Sequence, residues 1–260
     1  MELDNKVCVI TGAASGIGAA TCRAFAAKGA RVVVADINME GARQVAAEIG
    51  GHAIACDVSV EAEVNNLVAE SEKQFGPIDL FFNNAAVATG GNPLETPIDV
   101  WQDQWNINVM AHVYAVRAVL PGMLARGQGY LLHTASMAGI LTSQGNLPYA
   151  TTKHAVVGLA EWLSISYHDK GIRVSLLAPL GVRTPMLGDI SSPFAVSAAG
   201  PIKEPEDVAD MVVLGVQSES FLILTDPIAQ TWMERKTNDP ERWLTGMRRL
   251  QVKMDSAPNA

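Results

Sequence analysis

Short runs rich in Val, Ile and Leu alternate along this chain with longer segments of helical periodicity, and that alternation constrains the fold more than any other feature. The runs Val7–Ile10, Val32–Ala35, Ile54–Ala55, Ile78–Phe82, Tyr130–His133 and Val174–Ala178 read as strands. Between and after them, helical spacing predicts helices over Ile17–Lys28, Met39–Ile49, Val60–Gln74, Val100–Leu124, Tyr149–Asp169 and Pro205–Val216. Such an order builds βαβ units, whose crossovers bring successive strands parallel. The strands are apolar on both faces, so helices must cover each side of the sheet. That is an α/β fold with a doubly wound, Rossmann-like parallel sheet. No repeat or long linker divides the 260 residues, and a hydrophobic content of 48% suffices for a sizeable core, so residues 1–260 are read as a single domain. Residues 184–204, rich in Ser, Ala, Gly and Pro, are expected to form a mobile loop over a site. Phe221–Leu224 is expected as an edge strand, with a tail at 225–260 in which Asp239–Leu250 looks helical.

The charge balance narrows the partners. Nineteen Lys and Arg against 27 Asp and Glu give a net charge of −8 with no basic cluster, which argues against a nucleic-acid surface. Cys8, Cys22 and Cys56 are odd in number and widely spaced in apolar surroundings, so neither a disulfide framework nor a metal site is suggested. The five histidines show no metal-ligand spacing. No apolar stretch approaches the roughly 20 residues that span a bilayer, and the first residues do not resemble a signal peptide. The expectation is a cytoplasmic protein with no membrane, nucleic-acid or metal partner.

Directly after the first strand, Thr11-Gly12-Ala13-Ala14-Ser15-Gly16-Ile17-Gly18 opens the first helix. Gly12 suits a tight turn off the strand, Gly16 lets backbone approach a pyrophosphate, and Gly18 allows close helix packing, while the helix N-terminus faces the anion. Ser15 and Ile17 fall within the same cradle. Glycines alone fit a plain turn equally well. Asp36 adds weight, because it ends the second strand about 20 residues further on, where a carboxylate accepts both hydroxyls of an adenosine ribose. It would repel a 2′-phosphate, and Ala13, Ala14 and Ile37 offer no cation, so NAD(H) is preferred to NADP(H). Asp57, beside Val58 and just past the third strand, could bond an adenine amino group or, equally well, cap a helix start.

Tyr149 and Lys153 lie four apart at the start of a helix and share one face. An ammonium beside a phenol favours the phenolate and makes a general base. The pair alone is not specific. Ser136 supplies context, just past the fifth strand at the carboxyl end of the sheet, where open α/β folds hold ligands. Asn108 sits inside a helix, where Asn is a poor former and invites a functional or packing reason.

From about Lys6 to Met186 these residues resemble the short-chain dehydrogenase/reductase family. Thr11–Gly18 is similar to its TGxxxGxG element, Asn83-Asn84-Ala85 to most of its NNAG element, and Ser136, Tyr149 and Lys153 fall at the spacing of its catalytic Ser, Tyr and Lys, with Asn108 matching its fourth catalytic residue. The resemblance implies that Tyr149 exchanges a proton, Ser136 orients the substrate oxygen, Lys153 holds the nicotinamide ribose and tunes Tyr149, and Asn108 holds a water leading to Lys153. It places Asn84, Val182 and Thr184 at the cofactor. Three departures stand out: Ala86 replaces the last glycine of NNAG, Pro179-Leu180 replaces Pro-Gly, and Thr225-Asp226-Pro227 replaces a common Asp-Gly-Gly ending.

The leading expectation is an NAD(H)-dependent oxidoreductase that interconverts a secondary alcohol and a ketone, apolar or cyclic or aromatic, in a pocket near Ala138–Leu141, Leu147 and Met186–Leu187. The alternative is a non-catalytic NAD-binding regulator or scaffold of the same fold. Trp232 and Trp243 in the tail could cap the substrate pocket, with packing the safer reading. A homo-oligomer, dimer or tetramer, is expected from the apolar helices Val100–Leu124 and Tyr149–Asp169 and from the resemblance.

Overall fold

The computed structural model describes residues 1–188 and 200–256. The centre of the expected mobile loop therefore lies outside the described residues. Seven parallel strands form one sheet: β1 (Val7–Thr11), β2 (Arg31–Asp36), β3 (His52–Ala55), β4 (Leu80–Asn83), β5 (Gly129–Thr134), β6 (Ile172–Ala178) and β7 (Leu222–Leu224), ordered β3-β2-β1-β4-β5-β6-β7. All seven lie at or within a few residues of the runs read from sequence.

Successive residues on a strand point to opposite faces, and the two cores divide accordingly. Val9, Phe81 and Leu131 face one layer, formed by α3 (Glu61–Phe75), α5 (Ala111–Arg126) and α7 (Leu147–Tyr167). Their neighbours Ile10, Phe82 and Leu132 face the other, formed by α1 (Gly16–Ala27), α2 (Met39–Ile49) and α8 (Pro205–Gln217). This explains why the strands lack polar alternation: neither face meets water.

Two elements differ from the sequence reading. The helix expected over Val100–Leu124 is α4 (Ile98–Trp105), then a π-helical turn Asn106–Met110, then α5. The continuous run Ile98–Arg126 is long and apolar enough to cross a membrane by length and composition, but half of that stretch is buried inside the fold, with Val119 and Met123 in the first core. The tail holds two helices rather than one: α9 (Pro227–Asn238) precedes α10 (Pro240–Asp255), and the short α6 (Ala138–Leu141) follows β5. The unusual Thr225-Asp226-Pro227 has a local reason. Asp226 accepts a hydrogen bond from the Ile228 N–H as N-cap of α9, and Pro227 occupies the first turn, where its missing N–H costs nothing.

The core contains a buried histidine pair. His112 of α5 and His133 of β5 stack with ring centroids 5.2 Å apart, and their Nδ1 atoms approach to 2.9 Å. Burial holds both below the usual histidine value of 6.5, His133 at about 3. Below about pH 6.5 the unfolded chain takes up protons that the folded chain refuses, so stability is expected to fall with falling pH, by up to about 1.4 kcal/mol per unit for each histidine. Urea unfolding at pH 7 and pH 5 measures this, and equal midpoints would contradict a neutral buried pair.

Candidate active site

A cavity of about 630 Å³ opens at the carboxyl ends of the strands. It lies where the strand order departs in two directions from β1, to β2 on one side and β4 on the other, the crevice in which doubly wound sheets bind ligands. Its floor is the β1–α1 turn. Gly12 and Gly16 both take positive φ, at 62° and 52°, and both line the cavity with Ser15 and Ile17. A Cβ on Gly12 would stand 2.7 Å from the Ala85 Cα, and one on Gly16 would stand 2.9 Å from Thr184 Cγ2. Gly18 lies outside the cavity, and a Cβ there would meet Asn84 Nδ2 at 2.8 Å, so its part is close packing behind the turn. Ser15 makes no side-chain cap to α1, which leaves the N–H groups of the first turn for an anion.

Asp36 lies at the cavity wall with each oxygen engaged once, Oδ2 by the Ala14 N–H at 2.9 Å and Oδ1 by the Asn38 N–H at 2.8 Å. Each oxygen keeps a lone pair for a hydroxyl. Lys153 is the only cationic side chain among the described lining residues. Asp57 and Val58 also line the cavity, but Asp57 Oδ1 accepts from both the N–H and the hydroxyl of Ser59, so the turn before α3 claims that oxygen. A glycine cradle at a helix N-terminus followed by a carboxylate fits a dinucleotide from pyrophosphate to ribose.

Asn84 joins three strand ends. Its Nδ2 donates to the carbonyls of Thr11 and Gly12, at 3.1 and 3.3 Å, and its Oδ1 accepts from Thr134 Oγ1 at 3.1 Å. Ala86 has an ordinary negative φ, so the departure from glycine brings no backbone strain and adds a methyl to the cavity wall. The Leu180 N–H is held by Thr225 Oγ1 at 3.1 Å, and the following turn bridges Val182 to Lys203, which leaves Val182 and Thr184 facing the cavity.

Ser136, Tyr149 and Lys153 meet at the cavity wall. The Tyr149 and Ser136 side chains are hydrogen-bonded, and Ser136 Oγ also accepts from the Ala138 N–H at 3.1 Å. Lys153 is fully buried, with Nζ 5.6 Å from the Tyr149 ring centroid and donating to the Thr134 carbonyl at 2.8 Å. The expected lowering of the phenol is not found. Burial pushes Tyr149 up to about 12, against a smaller pull down from the Ser136 hydrogen bond, and burial brings Lys153 down to about 7. In a dry site the loss of hydration outweighs the pull of the nearby Lys153.

Asn108 does not line the cavity. It lies buried in the π-helical turn, its amide donating to the Val87 carbonyl and Thr152 Oγ1 and accepting from the Val87 N–H. Both amide hydrogens are thus engaged, and the side chain clamps the loop after β4 to α7 one residue before Lys153.

Away from the dinucleotide cradle and from Ser136, Tyr149 and Lys153, the lining is uncharged and mostly apolar, with Thr142 and Ser143 its polar members. Ala138, Leu141, Met186 and Leu187 line the cavity there as expected, whereas Leu147 at the start of α7 does not. Trp232 and Trp243, for which the sequence offered packing first and a cap on the pocket second, pack against the cluster of Met137, Leu141, Ala178 and Ala229 and also line the cavity together with Met247 and Leu250. The sequence held a signal for the last three, which lie four and then three residues apart on one face of α10.

A family model described as short chain dehydrogenase matches residues 6–193. The chain is 40% identical over 190 residues, 72% of its length and 76% of the relative's, to a 2,5-dichloro-2,5-cyclohexadiene-1,4-diol dehydrogenase of Sphingobium indicum. It is 35% identical over 231 residues, 85% of its length and 92% of the relative's, to a cyclohexanol dehydrogenase of an Acinetobacter species. A crystal structure of a short chain dehydrogenase/reductase from Burkholderia phymatum in complex with NAD shares the fold with a TM-score of 0.83 and 30% identity, covering 93% of this chain and 96% of that one.

Proposed function

Because this chain belongs to the short-chain dehydrogenase family, we propose that its cavity transfers hydride between NAD(H) and the carbinol carbon of a secondary alcohol, interconverting alcohol and ketone. The observation that carries this reading is the hydrogen-bonded Tyr149 and Ser136 at the cavity wall, with buried Lys153 one helical turn from Tyr149. A protein that only binds a dinucleotide has no physical need of that arrangement.

Gly12, Ser15, Gly16, Ile17 and the α1 N-terminus hold the pyrophosphate, Asp36 the adenosine ribose, and Asp57 and Val58 flank the adenine. Asn84, Val182 and Thr184 shape the nicotinamide end. Bound there, the nicotinamide supplies the hydride acceptor for oxidation and the donor for reduction. Ser136 Oγ donates to the substrate oxygen and fixes it beside Tyr149. In oxidation the Tyr149 phenolate takes the alcohol's proton and becomes the hydroxyl; in reduction that hydroxyl gives its proton to the ketone oxygen and becomes the phenolate. Lys153, brought by burial to about 7 and so charged in part at neutral pH, holds the nicotinamide ribose near the phenol, and Asn108 acts through position by fixing α7 against the loop after β4. The substrate is apolar and cyclic, in keeping with the uncharged far end of the cavity and the alcohols named for the two relatives.

NADH formation at 340 nm with aliphatic, cyclic and aromatic secondary alcohols, with NAD and NADP in parallel, tests the reading. Turnover with NAD supports it, and silence across the panel with NADH still bound would favour a binding-only protein. Asp36→Ala is expected to weaken NADH binding ten- to a hundredfold, the worth of a charge-assisted hydrogen bond of about 1.5–3 kcal/mol, and to shrink the preference over NADPH. An unchanged preference would mean that another residue reads the ribose.

The assembly is read as a homodimer or tetramer. α7 exposes Trp162 and Ile165, 59% and 84% accessible, an apolar face suited to a second copy. Light scattering on a sizing column measures it. The three buried cysteines are free, which suits a reducing cytoplasm.

A further inference from the structure

The helix pair at the C-terminus leaves a question the proposed chemistry does not answer. Among the described residues, α10 has none that is fully buried, yet it is well ordered in sequence pattern. Trp243, Met247, Leu250 and Met254 are half-buried at spacings of four, three and four, while Arg242, Leu244, Arg248, Arg249 and Lys253 around them are exposed. The helix therefore rests on the body along one apolar stripe, and the first three residues of that stripe line the cavity. Its support, α9, is anchored more firmly. Ala229 is fully buried against Met137 and Leu141, and Lys236 donates from Nζ to the Ile140 carbonyl. The anchor thus grips α6, which follows Ser136 directly.

We propose that α9 and α10 form the substrate-selecting wall of the cavity, in which Trp232, Trp243, Met247 and Leu250 favour neutral secondary alcohols with a fused or bulky ring system over small ones. This rests on the alcohol-oxidoreductase reading and deepens it. Two aromatic side chains, a thioether and a leucine present apolar surface and no hydrogen-bond acceptor, so affinity grows with the apolar area a substrate brings. No charged side chain lies at this end among the described lining residues, since Asp36, Asp57 and Lys153 belong to the cofactor and catalytic parts. An alcohol bearing a carboxylate or phosphate would lose its hydration there without a cationic partner. Because the wall is built outside the sheet, it sets substrate size without touching the residues that move the proton.

The test compares cyclohexanol with the two-ring 2-decalol, both with NAD, in the full chain and in Trp243→Ala, Met247→Ala and, as an outward-facing control, Leu244→Ala. The full chain is expected to favour 2-decalol in kcat/KM by at least tenfold, since a single methylene in an apolar pocket is already worth about 10–200-fold. Trp243→Ala and Met247→Ala are each expected to reduce that ratio at least tenfold, with thermal midpoint and NADH affinity held and Leu244→Ala unchanged. A ratio that does not move in either wall variant, or moves equally in Leu244→Ala, overturns the proposal. Should the full chain oxidise neither alcohol, the alcohol reading fails and the wall is judged by binding alone. Saturable quenching of tryptophan fluorescence by 2-decalol, weakened at least tenfold in Met247→Ala, would then support it, and equal quenching would overturn it.

Discussion

Tyr149→Phe is expected to lower turnover by at least the order of 10²–10⁴-fold, with NADH affinity within about twofold of the parent. Phenylalanine keeps the ring that fills this buried position and removes only the oxygen. The effect is large because nothing nearby replaces it. Ser136 has too weak an acid–base hydroxyl, and Lys153 lies with Nζ 5.6 Å from the ring centroid and engaged by the Thr134 carbonyl. The raised phenol also fixes a pH dependence. Tyr149 must be deprotonated to accept the alcohol's proton, and a value near 12 leaves it protonated at neutral pH. Oxidation is therefore expected to accelerate as pH rises, whereas ketone reduction, which uses the protonated phenol, is expected to hold level up to about pH 10. Single-turnover rates from pH 6 to 10 measure both. Activity of the Phe variant within tenfold of the parent would remove Tyr149 from the mechanism.

Gly12→Ala is expected to cost about 2–5 kcal/mol of stability and to weaken NADH binding at least tenfold. Two contributions add. A φ of 62° in a residue with a Cβ costs roughly 1–2 kcal/mol, and forcing that Cβ against the Ala85 backbone at 2.7 Å adds the roughly 1–3 kcal/mol of an overpacked site. The displaced segment includes Asn84 and Ala85, both at the cavity wall, so the strain reaches the cofactor. Gly50→Ala separates the two contributions. Gly50 has a similar φ of 66°, but a Cβ there meets nothing within 4 Å, so only the conformational cost applies. Urea unfolding of both variants is the measurement, and equal losses would show that the approach to Ala85 relaxes freely.

The layers of the fold were legible because parallel strands buried on both faces leave an unmistakable apolar pattern, as in Val32–Ala35 and Leu80–Phe82. Asp36 and the pair Tyr149 and Lys153 were legible because chain spacing alone sets their placement on one strand end and one helix face. The π-helical turn was not, since periodicity averaged over Val100–Leu124 absorbs one widened turn. α9 was missed although Asp226-Pro227 is a good helix start, because the residues after it carry little apolar periodicity. Asn108 shows a different limit: its partners Val87 and Thr152 lie 21 and 44 residues away, and only the folded chain brings them together. Desolvation is likewise invisible in sequence, which is why the shift of Tyr149 came out upward.

The ties made by Asn84 have a consequence for how activity is born. Its bonds reach back 73 residues to Thr11 and forward 50 to Thr134, and Lys153 in turn closes on Thr134. Three strands and α7 must all be in register before the proposed site is assembled. Contacts so distant along the chain form late, after loops have been closed at an entropic cost. Recovery of enzymatic activity during refolding should therefore lag behind recovery of helical circular dichroism, and its rate should report the last docking step rather than the first collapse.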